Sequence, residues 1–376
     1  MFVEYFYLYF FVLLISYFLL LFGFVYLSNK LDILNVILGF GALLFVFTNI
    51  LIILLLMRPV KTLQDELLPL FLSILLLPLV FIAISIITST ILVRFYRFWK
   101  KDDSSGRLEE KWAKRVEVRS KVRDDVYRKI NHVFIFISLL IIWYLSYIMV
   151  REFIDEERQN GIKIDPQNTN MLYLYESLLM GSKSINELLF GLEWFYYVLF
   201  FFFYVMCLVM LINELTRKSK KLSFPFNFFP NLIMSHEEKK SYGTYLYFSI
   251  GHMFSAFICP PMVFFAILGM SSLGDLVTSQ IGIRYGRRHI KWNPRKTHEG
   301  AVAGTIVSFI ISIIFVGVIY ALIFALAFLI FDIITNKPIN LSDNLLTPIG
   351  CALIFVLIRF TFDLDYNSCI LIFLFR

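Results

Sequence analysis

Charged residues are scarce in this chain: Asp, Glu, Lys and Arg make up 17% of its 376 residues, whereas 59% are hydrophobic. A soluble domain does not need that much apolar surface, and several apolar runs reach the roughly 20 residues that a helix needs to cross a bilayer. These runs are continuously apolar rather than alternating, which excludes a membrane β-barrel. We therefore predict an all-α, polytopic transmembrane protein with about nine or ten membrane helices.

Cysteine is also sparse, and the common nucleotide-binding motifs are missing. The four cysteines form no C-x-x-C pair, which excludes a disulfide or zinc framework. There is no P-loop and no H-R-D or D-F-G set, so the soluble nucleotide-binding folds are not indicated. The net charge of +7 is more useful as a topology marker than as a sign of nucleic-acid binding, and we expect no nucleic-acid partner.

The apolar runs divide the chain into three predicted regions. Residues 1–95 form a three-span unit of unassigned role, 96–131 a basic cytoplasmic linker, and 132–376 a membrane-embedded core with a polar loop at 275–300. The candidate spans are 5–27, 33–57, 68–95, 132–150, 193–213, 241–259, 262–274, 301–331 and 347–361. Pro260-Pro261 separates two of them and predicts a tight hairpin of short helices, 241–259 and 262–274.

Charge bias predicts the topology. Residues 94–131 carry thirteen Lys and Arg against seven Asp and Glu, whereas 151–192 carry four against seven. By the positive-inside rule the first loop is cytoplasmic and the second is outside. Counting spans from there places 275–300 on the cytoplasmic face, in a microbial plasma membrane or the endoplasmic reticulum.

The polar stretch from Gly274 to Gly304 combines residue types that phosphoryl transfer requires: metal ligands, cations around the phosphates, and a group that orients the hydroxyl. Asp275 follows an apolar run, and Glu299 begins the next one, so we predict that they share a divalent ion. Gly282 and Gly286 lie four residues apart, a spacing equally typical of helix packing in membranes. Thr297 can cap the following helix, where backbone N–H groups form an anion site.

The spacing of this stretch resembles the nucleotide-binding signature of the CTP-dependent lipid kinases, which include dolichol kinase, phytol kinase and a diacylglycerol kinase. Their pattern is D-x-x-A-x-x-x-G-x-x-x-G, eight residues, then K-K-T-x-E-G-x-x-A. Thr278 replaces the family's Ala, and Arg295 replaces the first Lys. The matching residues are Asp275, Gly282, Gly286, Lys296, Thr297, Glu299, Gly300 and Ala303.

A second element upstream is similar to the R-K-x-x-H of the same family. It comprises Arg128, Lys129 and His132, which share one helical face. Two looser similarities are an E-x-x-R at Glu214–Arg217 and a terminal D-N element at Asp365–Asn367, interrupted by Tyr366.

The resemblance implies a membrane kinase that uses CTP and Mg²⁺ to phosphorylate a lipid alcohol, with dolichol or another polyprenol as the first choice. It implies catalytic roles for Asp275, Glu299, His132 and Lys296, with Asp275 and Glu299 as the metal ligands. It also implies a CTP-binding set: Arg128, Lys129, Gly282, Gly286, Arg295, Lys296, Thr297 and Gly300.

Three alternatives stay open. Phytol, geranylgeraniol or diacylglycerol are close relatives of dolichol as acceptors. A CTP:lipid cytidylyltransferase also has a Gly-Asp at a membrane edge, but its P-G-H-G-G element is absent from this sequence, and K-D-x-[GS] occurs only at Lys101–Ser104, far from Gly274-Asp275. A membrane transporter would place ionisable groups at mid-membrane, whereas the charges here collect at the predicted cytoplasmic edge.

Overall fold

The computed structural model describes residues 14–26, 33–56, 88, 92, 121–159, 194–218, 243–335 and 338–366. These residues are overwhelmingly helical, as predicted, and five helices are long and apolar enough to cross a membrane. The predicted span 68–95 lies outside the described residues apart from Thr88 and Leu92, and so does most of the linker 96–131. The side of the membrane that each loop faces stays a prediction.

Eight helices and one small antiparallel sheet are described. The sheet consists of β1 (His289–Ile290) and β2 (Asn293–Thr297). The helices are α1 (Leu14–Tyr26), α2 (Ile33–Leu56), α3 (Lys121–Gln159), α4 (Trp194–Lys218), α5 (Thr244–Ile258), α6 (Pro261–Tyr285), α7 (His298–Ile334) and α8 (Asp343–Phe362).

The chain divides into two compact units, Met1–Asp124 with Phe201–Ile250, and Asp125–Phe200 with Gly251–Arg376. The first unit contains buried polar contacts as well as apolar packing. The Tyr17 hydroxyl donates to the Leu43 carbonyl at 3.1 Å. The Glu214 carboxylate, which is fully buried, accepts from the Gly243 backbone N–H at 2.9 Å and from the Tyr245 hydroxyl. Glu214, the first residue of the predicted E-x-x-R element, therefore holds the start of α5 in place.

The break at Pro260-Pro261 occurs as predicted, because Pro260 precedes α6 and Pro261 is its first residue. The prediction that this helix ends at Asp275 is wrong. A single π-helical turn, Met270–Gly274, leads into a further α-helical segment, Asp275–Tyr285. The predicted loop 275–300 therefore begins only after Tyr285, and Asp275 lies inside a helix.

The longest helix, α7, reverses direction at Gly317, which has φ 77° and ψ 178°. In a straight helix, residues 298 and 332 would be roughly 50 Å apart. Instead, Lys296 Nζ lies 2.5 Å from Asp332 Oδ1, and Asn293 Nδ2 donates to the carbonyl of Ile333 at 3.0 Å. The predicted single span 301–331 is therefore two antiparallel arms, 298–316 and 318–334.

Aromatic and aliphatic side chains fill the interior of the second unit. Phe315, next to the reversal of α7, packs against Phe136 of α3 and Phe265 of α6. Trp143 packs against the same Phe265. This apolar layer lies on the Gly317 side, so the polar side chains collect at the opposite end of the helices.

Candidate active site

Three aspartates from different parts of the second unit meet at that polar end. One carboxylate oxygen from each of Asp275, Asp332 and Asp343 lies within 4.8 Å of the other two. Asp275 and Asp332 are buried, at 7% and 2% exposure, and Asp343 is half-buried. Buried carboxylates are costly unless they are paired or bind a cation, so this arrangement needs positive charge close by.

The fold brings each aspartate to this point by a different route. Asp275 follows the π turn of α6, a distortion that is frequent at functional sites. Asp332 lies near the end of the second arm of α7 and returns to this end only because the helix reverses at Gly317. Asp343 is the first residue of α8, after a short connection.

Lys129 of α3 supplies one of the required cations. Its Nζ donates to Asp275 Oδ1 at 2.7 Å and to the Asp275 carbonyl at 2.8 Å. Asp125, one turn earlier, pairs with Arg128 at 2.9 Å and accepts hydrogen bonds from Ser279 and from Gln280 Nε2 of α6. Asp125 therefore anchors the start of α3 to α6 and orients Lys129 toward Asp275.

Lys296 of β2 supplies the second cation. Its Nζ lies 2.5 Å from Asp332 Oδ1 and 3.5 Å from Asp343 Oδ2. Burial lowers the pKa of Lys296, but the negative charges of Asp332, Asp343 and Asp275 raise it more, so the net pKa is above its usual value. Lys296 is therefore a permanent cation at physiological pH.

The three aspartates line a small cleft, with room for about one water molecule, together with Ser271, Phe328, Asn344 and Thr347. Every polar group in this lining offers an oxygen, and oxygen is the ligand atom that Mg²⁺ prefers. Asp332 Oδ2 is buried and has no hydrogen-bond partner among the residues that the structure describes. The site therefore fits a divalent ion, held by Asp275, Asp332 and Asp343.

Two histidines lie near the cleft. His132 is 5% exposed and follows Lys129 by three residues on α3, close enough to Asp343 and His252 for electrostatic interaction. His252 of α5 shares a 2.7 Å hydrogen bond with Ser271, which lines the cleft. His132 is therefore buried within the unit rather than exposed to water.

The signature glycines lie between two helices. A Cβ atom on Gly282 would be 3.0 Å from Thr297 Oγ1, and one on Gly300 would be 2.6 Å from the Thr278 carbonyl. A Cβ on Gly286 would overlap Thr297, and one on Gly304 would overlap Thr278. These small residues let α6 and the first arm of α7 approach closely, which is the packing alternative for Gly282 and Gly286.

The remaining signature residues lie around the β1–β2 hairpin. Thr297 caps α7 as predicted, because its Oγ1 accepts from the Gly300 N–H at 3.2 Å. Arg295 is exposed. The Glu299 carboxylate accepts from the backbone N–H of Arg288, at 3.2 and 3.3 Å.

The predicted ion shared by Asp275 and Glu299 needs a correction. Among the described carboxylates, the group able to share one ion joins Asp275 to Asp332 and Asp343 and does not include Glu299. Glu299 lies in the first turn of α7 and bonds the hairpin backbone instead. The structure therefore groups Asp275 with Asp332 and Asp343 rather than with Glu299.

Asp365, from the predicted terminal D-N element, also lies elsewhere. It pairs with Arg359 near the end of α8, a full helix length from Asp343. Asn367 is outside the described residues. An uninterrupted Asp-Asn pair is present in the sequence at Asp343–Asn344, and both residues line the cleft.

Two sequence signals could have indicated the missed aspartates. Asp332 is a lone acid near the end of an apolar run, and such residues in membrane helices are usually functional. Asp343-Asn344 directly precedes an apolar span, as Asp275 directly follows one. By contrast, no local signal indicates that Asp125 contacts Ser279, because that contact depends on helix packing.

The chain matches no known family model, no curated protein and no solved structure. The geometry of the cleft and the sequence resemblance are therefore the observations on which a function can be based.

Proposed function

We propose that this protein transfers the γ-phosphoryl group of CTP to the hydroxyl of a membrane lipid alcohol, with dolichol or another polyprenol as the first choice. One observation supports this most. Lys129 comes from one element of the resemblance, and Asp275 and Lys296 come from the other. Although Lys129 and Asp275 are 146 residues apart in the sequence, all three residues meet at one cleft. Chance matches to a sequence pattern have no reason to converge in this way.

The residues of the cleft suit the parts of such a reaction. In the transfer, the lipid oxygen forms a bond to the γ-phosphorus, the bond from that phosphorus to the bridging oxygen breaks, and CDP leaves. A divalent ion on the three aspartates would neutralise charge on the phosphate oxygens. Lys129 and Lys296 can donate to the same oxygens, because each is a compact charge on a flexible stem.

The hydroxyl proton needs an acceptor, and we assign His132. It lies one helical turn from Lys129 on the face of α3 that is directed into the unit. The His132→Ala variant should lower turnover by roughly 100-fold, the usual size of a general-base effect. A variant that keeps wild-type turnover at limiting CTP would remove His132 from this role.

The decisive assay uses the purified full chain in lipid nanodiscs with CTP or ATP and a panel of lipid alcohols. We expect lipid phosphate and CDP, with CTP preferred over ATP. Transfer from ATP at equal or higher efficiency would contradict the proposal as stated. The nucleotide products also test the cytidylyltransferase alternative, because that reaction releases pyrophosphate and forms a CDP-lipid.

Ion transport is the second candidate, because Asp275 and Asp332 are buried ionisable groups in helices that are long enough to cross a membrane. A transporter would carry cations across sealed proteoliposomes without any nucleotide. The kinase proposal expects no such flux and no dependence of lipid phosphorylation on an ion gradient.

A further inference from the structure

We propose that the Lys296 ammonium occupies the place of the divalent ion in the metal-free protein and must leave the aspartates when the ion binds. This inference rests on the proposed metal site but not on the identity of the nucleotide or the lipid. It adds a step to the proposed reaction: binding of the ion releases Lys296 from the carboxylates and makes it available to bind phosphate.

The geometry of Lys296 carries the first step. Its Nζ bridges two carboxylates from different elements, Asp332 at 2.5 Å and Asp343 at 3.5 Å. A Mg²⁺ ion holds oxygens at about 2.1 Å, so two of its ligands lie roughly 3 to 4 Å apart. Lys296 therefore joins the same pair of carboxylates that an ion would join, and the two cations compete for that pair.

Charge balance carries the second step. Three carboxylates face two ammonium groups, because Lys129 pairs with Asp275 while Lys296 pairs with Asp332 and Asp343. A divalent ion added without release of a lysine would leave excess positive charge in a largely buried site, which is unfavourable at short distances. Release of Lys296 alone restores a near-neutral balance.

An oxygen without a partner marks where the ion would enter. Asp332 is 2% exposed, its Oδ1 accepts from Lys296, and its buried Oδ2 has no hydrogen-bond partner among the described residues. Asp332 lines the cleft beside Asp275 and Asp343. A buried carboxylate oxygen left without a donor indicates a ligand that completes it.

The local structure allows Lys296 to move without rearrangement of the backbone. On one side, Asn293 is fixed by hydrogen bonds from its Nδ2 to the carbonyls of Ile333 and Thr335. On the other side, Thr297 is buried and caps α7. The strand is held at both positions, so displacement is confined to the flexible four-carbon side chain of Lys296.

The first test measures Mn²⁺ binding to the purified full chain in nanodiscs, without nucleotide or lipid alcohol. We expect Lys296→Met to bind Mn²⁺ roughly tenfold more tightly or better, because a competing charge is removed at short range. Lys296→Arg should stay close to wild type, and Asp332→Asn should lose binding. Lys291→Met is the matched control, since Lys291 is exposed in the hairpin turn, and its affinity should not change.

The second test uses the wild-type chain, so it does not depend on how a variant folds. Acetic anhydride labelling followed by mass spectrometry reports how accessible each lysine is. We expect saturating Mn²⁺ to increase labelling of Lys296 at least several-fold while labelling of Lys291 stays constant.

Each outcome decides the proposal separately from the kinase assay. Mn²⁺ binding that leaves Lys296 labelling unchanged would overturn the inference, as would Lys296→Met binding no tighter than wild type, or the absence of Mn²⁺ binding in every variant. Tighter binding by Lys296→Met, in a protein that phosphorylates no lipid, would uphold the exchange while removing the proposed function.

Discussion

Gly274 and Asp275 are neighbours in α6, yet they belong to regions with opposite requirements. Gly274 packs against Ser308 and Gly304 in the small-residue contact between α6 and the first arm of α7, where any added atom causes overlap. Asp275 belongs to the charged cleft, where Lys129 compensates its carboxylate. One segment of the signature thus sets the distance between two helices and also places a charged group.

The comparison shows that residues matching one sequence pattern do not share one role. Gly282, Gly286 and Gly300 have an explanation from packing alone, because their missing side chains leave room for Thr278 and Thr297. Asp275 and Lys296 have no such explanation, since a buried charge carries a desolvation cost that a buried apolar residue does not. Substitutions in the two regions should therefore fail in different ways.

The largest effect is expected for the charged cleft. Asp275→Asn should lower lipid phosphorylation by more than about 1,000-fold, or roughly 4 kcal/mol of transition-state stabilisation, because a metal ligand and the partner of Lys129 are lost together. The thermal unfolding midpoint should change far less than the rate. Asp363→Asn is the matched control, because Asp363 is exposed with φ 48°, a conformation that Asn tolerates. Wild-type activity in Asp275→Asn would contradict the assignment.

Lys296→Ala should reduce the free energy of unfolding by about 3 kcal/mol, because it leaves the Asp332 carboxylate buried without its cation. The pKa of Lys296 is raised in the folded protein, so its contribution is fully present below the ordinary lysine pKa of about 10.4. The contribution is lost only as pH rises through the higher folded value.

Denaturant unfolding between pH 6 and 9 should therefore show a constant loss relative to wild type. Added Mn²⁺ should recover part of it. Lys291→Ala serves as the control, and an equal loss in that variant would mean that the effect is unrelated to the cleft.

Gly304→Ala probes the small-residue contact and should cost about 2 kcal/mol, because the new Cβ atom overlaps Thr278 Oγ1. Thr278→Ala in the same chain removes that oxygen, so the double variant should recover part of the loss. A double-mutant cycle on unfolding midpoints measures the coupling. Additive losses would show that Thr278 does not limit the helix distance.

Gly317→Ala should have the smallest effect, about 1 to 2 kcal/mol of lost stability, because alanine is strained at φ 77°. Gly41→Ala in α2 is the matched control, since a Cβ atom there meets nothing within 4 Å. That control should be neutral or slightly stabilising, as alanine favours a helix. Equal midpoints for both variants would mean that the reversal does not require glycine.

The helical class and most span positions follow from the sequence, because apolar runs of sufficient length have few other solutions in lipid. The end of α6 does not, since the apolar run stops at Leu273 while the helix continues to Tyr285 against α7. The sequence marks the change in polarity, whereas packing decides where the hydrogen-bonded helix ends. For the same reason, the sequence predicts a helix end at Asp275, where the helix in fact continues.

Only part of the candidate site can be predicted from the sequence, because some of its residues are brought together by long-range packing. The family resemblance points to Lys129, His132, Asp275 and Lys296, and the structure pairs Lys129 with Asp275 and Lys296 with Asp332. Asp332 was not identifiable, because its position depends on a reversal inside an apolar run. Val316-Gly317-Val318 contains a glycine that a membrane helix would also tolerate, so the sequence does not reveal the turn.

The reversal at Gly317 also bears on how the protein is made. Each arm of α7, 298–316 and 318–334, is roughly 26 to 28 Å long, close to the thickness of the hydrocarbon core. The residues at the tip, from Phe315 to Ile319, are all apolar or glycine, so no hydrophilic loop has to be translocated. We therefore expect the arms to enter the bilayer together as a hairpin, so that Lys296 and Asp332 stay at the same face of the membrane.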